Sequence, residues 1–297
     1  MSSMIKSEND RVDALRSILD REIEKNPHNR ELIESFRPLL IARARLLEKI
    51  KLEKAVLSAM DKTRFESGVP LIRQQQLLSP EDPWEKMTSC MIPALKEGFP
   101  GIRDDMDRLQ ASGEKIEGLV REYLEAFPDH CETVIKRRAA GLLVGTQGIS
   151  LLLRHLTRII LEKRSQEAAR GIKGLDWKKG YCPVCGAFPT IALIEEKITR
   201  RWLHCSRCGH DWQFSRVICP CCEHQAQQGM NFFYVETRAQ ESAFTCEKCN
   251  RYLITLNRIS DLHDHDLDVS AIGLAHMDLI MQGKGFIPMT ACEWNSF

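Results

Sequence analysis

The chain has 297 residues, of which 43% are hydrophobic and 28% charged, so it is long enough for one large or two ordinary domains and is neither disordered nor fibrous. Lysine and arginine number 42 and aspartate and glutamate 41, and the net charge of +1 lacks the basic excess typical of bulk phosphate binding. Because the amino-terminal segment holds no apolar signal core, we expect the 12 cysteines to be reduced in the cytoplasm. The longest uncharged apolar run, 139–153, is shorter than the ~20 residues that a bilayer requires, so we expect no membrane insertion.

The first part of the chain, 1–175, is predicted to be an α-helical domain. Its apolar residues recur at spacings of three and four, as in Val12, Leu15 and Leu19. Proline and glycine breaks predict helices over 8–25, 30–62, 84–97, 103–126 and 129–168. Pro38 is expected to kink or restart the second of these helices.

The composition changes near 171–180, where three glycines precede short runs rich in β-branched and aromatic residues. These runs predict strands over 190–194, 201–204, 211–218, 231–236, 242–245 and 252–259. We therefore divide the remainder into a β module at 176–218, a second β module at 219–259, and an acidic loop with a carboxy-terminal helix at 260–297. The fold class is a multidomain α+β protein.

Eight cysteines carry the strongest signal in the sequence, because they form four pairs with two residues between the partners. The pairs are Cys182/Cys185, Cys205/Cys208, Cys219/Cys222 and Cys246/Cys249. Two thiolates on one tight turn, a knuckle, can hold one metal ion, and two knuckles complete the tetrahedral four-sulfur site that zinc or rubredoxin-type iron accepts. The sequence therefore predicts two metal ions per chain, iron or zinc, held by these eight cysteines. Short strands bury only a small core, and metal binding supplies part of the folding free energy that such a core lacks.

An internal repeat suggests which pairs share an ion. CPVC, 19 residues, CSRC and a strand are followed by CPCC, 23 residues, CEKC and a strand. Because a hairpin returns its second knuckle to its first, we assign the first two pairs to one ion and the last two to the other. An interleaved arrangement, first pair with third and second with fourth, is the alternative. Cys221 lies inside the third knuckle and is interpreted as a bystander.

The turn after each second sulfur favours a left-handed residue, and Gly186, Gly209 and Asn250 supply one at three knuckles. Glu223 is the exception at the fourth.

Other candidate residues are weaker. His204, His210 and His224 adjoin knuckles and are interpreted as supporting or surface residues. The run of histidines and aspartates over 263–268 lacks the glycine and terminal glutamate of a calcium loop, and a solvated loop is the expectation. Three isolated cysteines are expected to be core thiols, namely Cys90, Cys131 and Cys292. We find no catalytic nucleophile with a matched base, so the chain is not expected to be an enzyme.

The charge of the cysteine region argues against nucleic acid as the ligand. Residues 182–249 contain seven basic and seven acidic side chains. Four thiolates around a divalent ion leave a charge of about −2, so two loaded sites bring this region to about −4. A nucleic-acid-binding ribbon requires a net basic face.

Four segments resemble a known family: GYCPVCGAFP (180–189), RWLHCSRCGHDW (201–212), RVICPCCE (216–223) and TCEKCNRYL (245–253). They are similar to the formate dehydrogenase accessory protein family, FdhE. The resemblance is specific over about 176–256 and only architectural before that. It implies an all-α amino-terminal domain followed by two tandem rubredoxin-like or zinc-ribbon β modules. It also implies a cytoplasmic, non-catalytic factor that binds the catalytic subunit of formate dehydrogenase during maturation, with iron a plausible metal.

The leading hypothesis is therefore an assembly factor, a chaperone for maturation of active formate dehydrogenase that binds the catalytic subunit through a metal-stabilised scaffold. The first alternative is a rubredoxin-like electron-transfer protein, and the second is a nucleic-acid-binding zinc-ribbon protein. The sequence leaves open the oligomeric state, a homodimer being one option, and whether the cysteine sites are structural or redox-active.

Overall fold

The structure is a computed structural model that describes residues 8–52, 60–112, 116–196, 200–225, 228–236, 238–259 and 265–295. Its helices are α1 Glu8–Lys25, α2 Arg30–Lys49, α3 Lys62–Glu66, α4 Trp84–Gly98, α5 Arg103–Ala111, α6 Ile116–Ala126, α7 Cys131–Leu142, α8 Thr146–Ile172, α9 Leu267–Gly273 and α10 Ala275–Gly283. Its strands are β1 Pro189–Glu195, β2 Arg201–Cys205, β3 Asp211–Phe214, β4 Met230–Val235, β5 Arg238–Cys246, β6 Arg251–Ile259 and β7 Ile287–Pro288. A helical amino-terminal region precedes a sheet, which confirms the α+β fold class. Among the described helices, none combines the length and hydrophobicity needed to cross a bilayer.

The backbone forms two compact units, and the first is helical. It comprises the described residues of Met1–Ser17, Glu34–Ala55 and Gln76–Lys163. Side chains at helical spacing fill its core, among them Met87, Met91 and Leu95 of α4, each with 0% of its surface exposed. Cys90 lies one position away from this apolar stripe and is exposed, and Cys131 is half-exposed. The expectation that both are core thiols is therefore wrong, whereas Cys292 is buried.

Three predicted helices end earlier than their patterns suggest. In place of the helix predicted over 30–62, α2 ends at Lys49 and continues through Pro38, α3 begins only at Lys62, and 53–59 lie outside the described residues. Where one helix is predicted over 103–126, the structure has two, α5 and α6. The prediction for 129–168 breaks at Leu143, whose φ of 55° caps α7 because its N–H bonds the carbonyls of the last turn.

The second unit contains the sheet. It comprises the described residues of Ile18–Ile33, Val56–Gln75 and Arg164–Phe297. The strand order is β3-β2-β1-β6-β5-β4, with β7 also on β6. The two sequence repeats therefore form two antiparallel meanders, β1 to β3 and β4 to β6, and parallel pairing of β1 with β6 makes them one sheet. The proposed domain boundaries at 175, 218 and 259 stay predictions.

The third strand is shorter than predicted because a buried side chain takes its place. β3 ends at Phe214, and the guanidinium of Arg201 on β2 then donates hydrogen bonds to the carbonyls of Ser215 and Ile218. A side chain thus satisfies backbone acceptors that a longer strand would pair with a neighbour.

Candidate metal centres

Four sulfur atoms gather at the end of the first meander. We call Cys182, Cys185, Cys205 and Cys208 the first centre; their sulfurs all lie within 4.8 Å of one another. Cys182 and Cys185 lie on the loop before β1, while Cys205 ends β2 and Cys208 follows in the next turn. The Sγ atoms of Cys182 and Cys208 are 3.5 Å apart, and those of Cys185 and Cys205 are 3.3 Å apart. Every cysteine of this centre is at most 1% exposed.

The second meander repeats this arrangement. We call Cys219, Cys222, Cys246 and Cys249 the second centre, and its four sulfurs again lie within 4.8 Å of one another. The Cys219 and Cys249 sulfurs are 3.8 Å apart, and those of Cys222 and Cys246 are 3.7 Å apart. Cys219 and Cys246 are fully buried, whereas Cys222 and Cys249 are partly exposed. The structure thus brings together the sets that the hairpin argument predicts, and Cys221 lies outside both of them.

The knuckles have one local geometry. At three of them the residue after the second cysteine donates its N–H to the carbonyl of the first cysteine, namely Gly186 to Cys182, Gly209 to Cys205 and Glu223 to Cys219, at 2.9, 3.2 and 3.0 Å. Gly186, Gly209, Glu223 and Asn250 have φ values of 73°, 66°, 58° and 55°. Glu223 therefore adopts the left-handed conformation that the sequence provides for only at the other three knuckles. A glutamate there is strained by roughly 1 kcal/mol.

Sulfur separations of 3.3 to 3.8 Å fit a tetrahedral ion, because a metal–sulfur bond of about 2.3 Å places two ligand sulfurs roughly 3.8 Å apart. Backbone N–H groups also point at a sulfur: those of Arg207 and Cys208 lie 3.3 Å from the Cys205 Sγ. Such donors stabilise a thiolate. Both centres could therefore hold a metal ion.

The electrostatics of the first centre favour occupation by a cation. Burial raises the pKa of the Cys182 and Cys208 thiols well above the usual range. Burial acts in the same direction on Cys205, but hydrogen bonds from the neighbouring thiols and from the Cys208 N–H lower its pKa well below the ordinary value. In the second centre burial raises the pKa of Cys219 to about 12. Because burial disfavours the ionised form of these thiols, four adjacent thiolates are stable only with a positive ion among them.

A buried arginine lies against the second centre. Arg201 is 2% exposed, and its guanidinium lies 5.2 Å from the Phe214 ring and 5.3 Å from the Phe244 ring. Burial lowers its pKa to about 9, a decrease that the charge of Cys219 opposes. Its Nη2 donates to the carbonyl of Ile218, the residue before Cys219, at 2.6 Å. Arg201 is therefore a cation placed beside Cys219 of the second centre, and no feature of the sequence indicated it.

The histidines beside the knuckles have other roles. His204 is buried, with its Nδ1 2.6 Å from the Asp211 carboxylate and its Nε2 3.3 Å from that of Asp268. Burial lowers its pKa, but the two carboxylates outweigh burial and raise the pKa to about 10. His210 and His224 accept the N–H groups of Cys205 and Cys219 through their backbone carbonyls. The carbonyls of His210 and His224 therefore support the knuckles, whereas the side chain of His204 links β2 to β3 and α9.

The histidine and aspartate run over 263–268 is partly accounted for. Asp266 caps α9 by accepting the N–H of Val269, and Asp268 bonds His204. Both carboxylates therefore have structural partners. His263 and Asp264 lie outside the described residues.

Two close approaches fix the knuckles in place. A Cβ on Gly180 would lie 2.0 Å from the carbonyl oxygen of Pro220, so only glycine fits against the third knuckle. The segment after α3 pairs with the first knuckle: the N–H groups of Leu71 and Ile72 donate to the carbonyls of Pro183 and Val184, both at 2.9 Å. These contacts join distant parts of the chain, and local patterns gave no sign of them.

Comparison with known proteins agrees with this architecture. A family model described as the FdhE central domain matches residues 181–216. A protein described as an FdhE homolog from Aquifex aeolicus is 34% identical over 117 residues, covering 37% of this chain and 40% of that protein. A Yersinia enterocolitica protein of the same description is 25% identical over 210 residues, covering 69% and 63% of the two chains. The chain thus matches less than two thirds of the length of either relative.

A crystal structure of the FdhE protein from Pseudomonas aeruginosa has the same fold. It superposes with a TM-score of 0.62 at 18% sequence identity, covering 96% of this chain and 95% of that one. The resemblance predicted from the four cysteine segments is confirmed: this chain is similar to FdhE proteins in its cysteine segments and in its fold.

Proposed function

We propose that this chain is a non-catalytic, cytoplasmic accessory factor that binds the catalytic subunit of formate dehydrogenase during maturation. The observation that supports this function best is the pair of closed four-cysteine centres, since each offers four sulfurs and no open coordination position. A catalytic zinc site would keep one position for water or substrate. Similarity to proteins described as FdhE homologs supports the accessory role.

We assign one metal ion, iron or zinc, to each centre, with the eight cysteines as ligands. Either ion would tie two knuckles together and fix the meander between them, and iron would add the capacity for one-electron transfer. The described strands of both meanders belong to one sheet, so the two centres hold a single surface in shape. A partner would recognise that surface.

The test is capture of the purified catalytic subunit by the metal-loaded chain. The variant Cys182→Ser/Cys185→Ser removes half of the first centre and is expected to lose capture and to leave formate dehydrogenase inactive in the host. The matched control is Cys90→Ser/Cys131→Ser, which makes the same change outside both centres. Retained capture and retained activation by the first variant would contradict the proposal. So would failure of the wild-type chain to bind the subunit.

One observation favours electron transfer as a second candidate. Cys222 and Cys249 of the second centre are partly exposed, so an electron could reach an iron ion there through its own ligands. Anaerobic purification with elemental analysis decides between the candidates. A coloured protein that contains iron and is oxidised and reduced reversibly supports electron transfer, and a colourless protein filled with zinc excludes it.

A further inference from the structure

An open cleft of about 670 Å³ lies between the first meander and the third knuckle. The apolar part of its lining includes Trp177, Phe214 and Ile218. Its charged lining consists of five cationic side chains and one acidic one, namely Lys178, Lys179, Arg200, Arg201, Arg216 and Glu223, a net charge of +4. We call it the basic cleft. Its volume is typical of a binding site rather than of a packing defect.

The positive charge of the basic cleft is only partly neutralised. Lys179 pairs with Glu223 at 2.9 Å and Lys178 with Asp176 at 2.7 Å, and water screens both of these pairs. At the base, Arg201 is 2% exposed, and its Nε and Nη1 have no hydrogen-bond partner among the described residues. A buried cation without a carboxylate partner adds positive potential to the cleft above it, since low-dielectric walls focus the field, and the neighbouring Cys219 offsets only part of this potential.

This combination of charge and shape selects the chemistry of the ligand. Arginine and lysine at the rim match carboxylates, and an exposed guanidinium such as that of Arg200 can hold one through two hydrogen bonds. The apolar part of the lining would bury an aliphatic or aromatic anchor, which supplies most of the affinity in protein recognition. An acidic peptide segment with one hydrophobic anchor satisfies both.

We propose that the basic cleft binds an acidic segment of the formate dehydrogenase catalytic subunit. This inference rests on the proposed function and assigns the subunit to one surface of the molecule. Contact is made at Arg200 and Arg216, which are exposed, while Arg201 maintains the potential from below. Because this attraction is between charges, complex formation weakens as ionic strength rises.

The test compares two double charge reversals in the full, metal-loaded chain. Arg200→Glu/Arg216→Glu reverses the rim of the cleft, and Lys86→Glu/Lys136→Glu makes the same change in net charge at exposed helical positions outside it. We expect the first variant to bind the purified catalytic subunit at least about tenfold more weakly and to lose most of the salt dependence. The control keeps wild-type affinity. A content of two metal ions per chain shows that each variant is folded.

Three outcomes overturn the assignment. The first is unchanged affinity of the cleft variant, and the second is equal weakening by both variants, which would indicate a general effect of net charge. The third is a cleft variant that loses the binding of inorganic phosphate seen in the wild-type chain but captures the subunit as well as the wild type does. That result would identify the cleft as a small-anion site instead. If the wild-type chain captures no subunit at any salt concentration, the proposed function itself fails.

Discussion

Replacing Arg201 with methionine tests the electrostatics of the second centre. The guanidinium is 2% exposed, and it donates hydrogen bonds to the carbonyls of Ser215 and Ile218. Methionine keeps the contacts with the flanking rings but removes the charge and the donors. A loaded centre of four thiolates carries about −2, so the loss of the adjacent cation disfavours the loaded form. Groups that support metal ligands change affinity by 10- to 100-fold, about 1.4 to 2.7 kcal/mol.

The assay is a competition titration with a chromogenic chelator, in which the first centre serves as the internal reference. We expect Arg201→Met to lower the zinc affinity of the second centre by 10- to 100-fold and to leave the first centre within about twofold. Arg201→Lys keeps the charge without the planar fork, so it separates charge from hydrogen bonding. Equal losses at both centres would indicate general destabilisation. No loss at either would refute the assigned role of this arginine.

Three further predictions concern stability. Gly180→Ala forces a Cβ to within 2.0 Å of the Pro220 carbonyl oxygen. We expect the free energy of unfolding to fall by about 3 kcal/mol in denaturant titration, and metal analysis to show less metal at the second centre. A wild-type midpoint would contradict the close contact. Burial raises the pKa of Asp278 to about 6, so the protonated form favours the folded state, and this contribution of about 3 kcal/mol, present below pH 4, is lost as the pH rises through 6. Asp278→Asn should remove this part of the pH dependence, and an unchanged difference between pH 4 and pH 7 would count against it. Glu223→Gly relieves a φ of 58° and removes only an exposed ion pair with Lys179, so it is expected to stabilise the loaded protein by about 0.5 to 1 kcal/mol in thermal unfolding. A lower midpoint for the variant would contradict the assigned strain.

The grouping of the cysteines could be predicted from the sequence because each step of the argument is local. Two residues between partners define a knuckle, and a hairpin of 19 or 23 residues returns one knuckle to the next. The strands were predicted to within a few residues for the same reason, since their β-branched and aromatic residues are contiguous. β7 is only two residues long and was missed.

The joining of the two meanders could not be predicted. Parallel pairing joins Ile191 to Ile254, two residues more than sixty positions apart, and nothing in either strand specifies that neighbour. The same applies to Gly180 against Pro220, and to Leu71 on the first knuckle. Each of these contacts depends on the tertiary fold.

Metal content measured together with hydrogen exchange tests the central claim most directly, namely that two ions held by eight cysteines stabilise the sheet. We expect two ions per chain in the purified protein, and exhaustive chelation should abolish amide protection in β1 to β6 while α4 and α8 keep theirs. Fewer than two ions per chain, or undiminished protection of the strands after the metal is removed, would contradict the account.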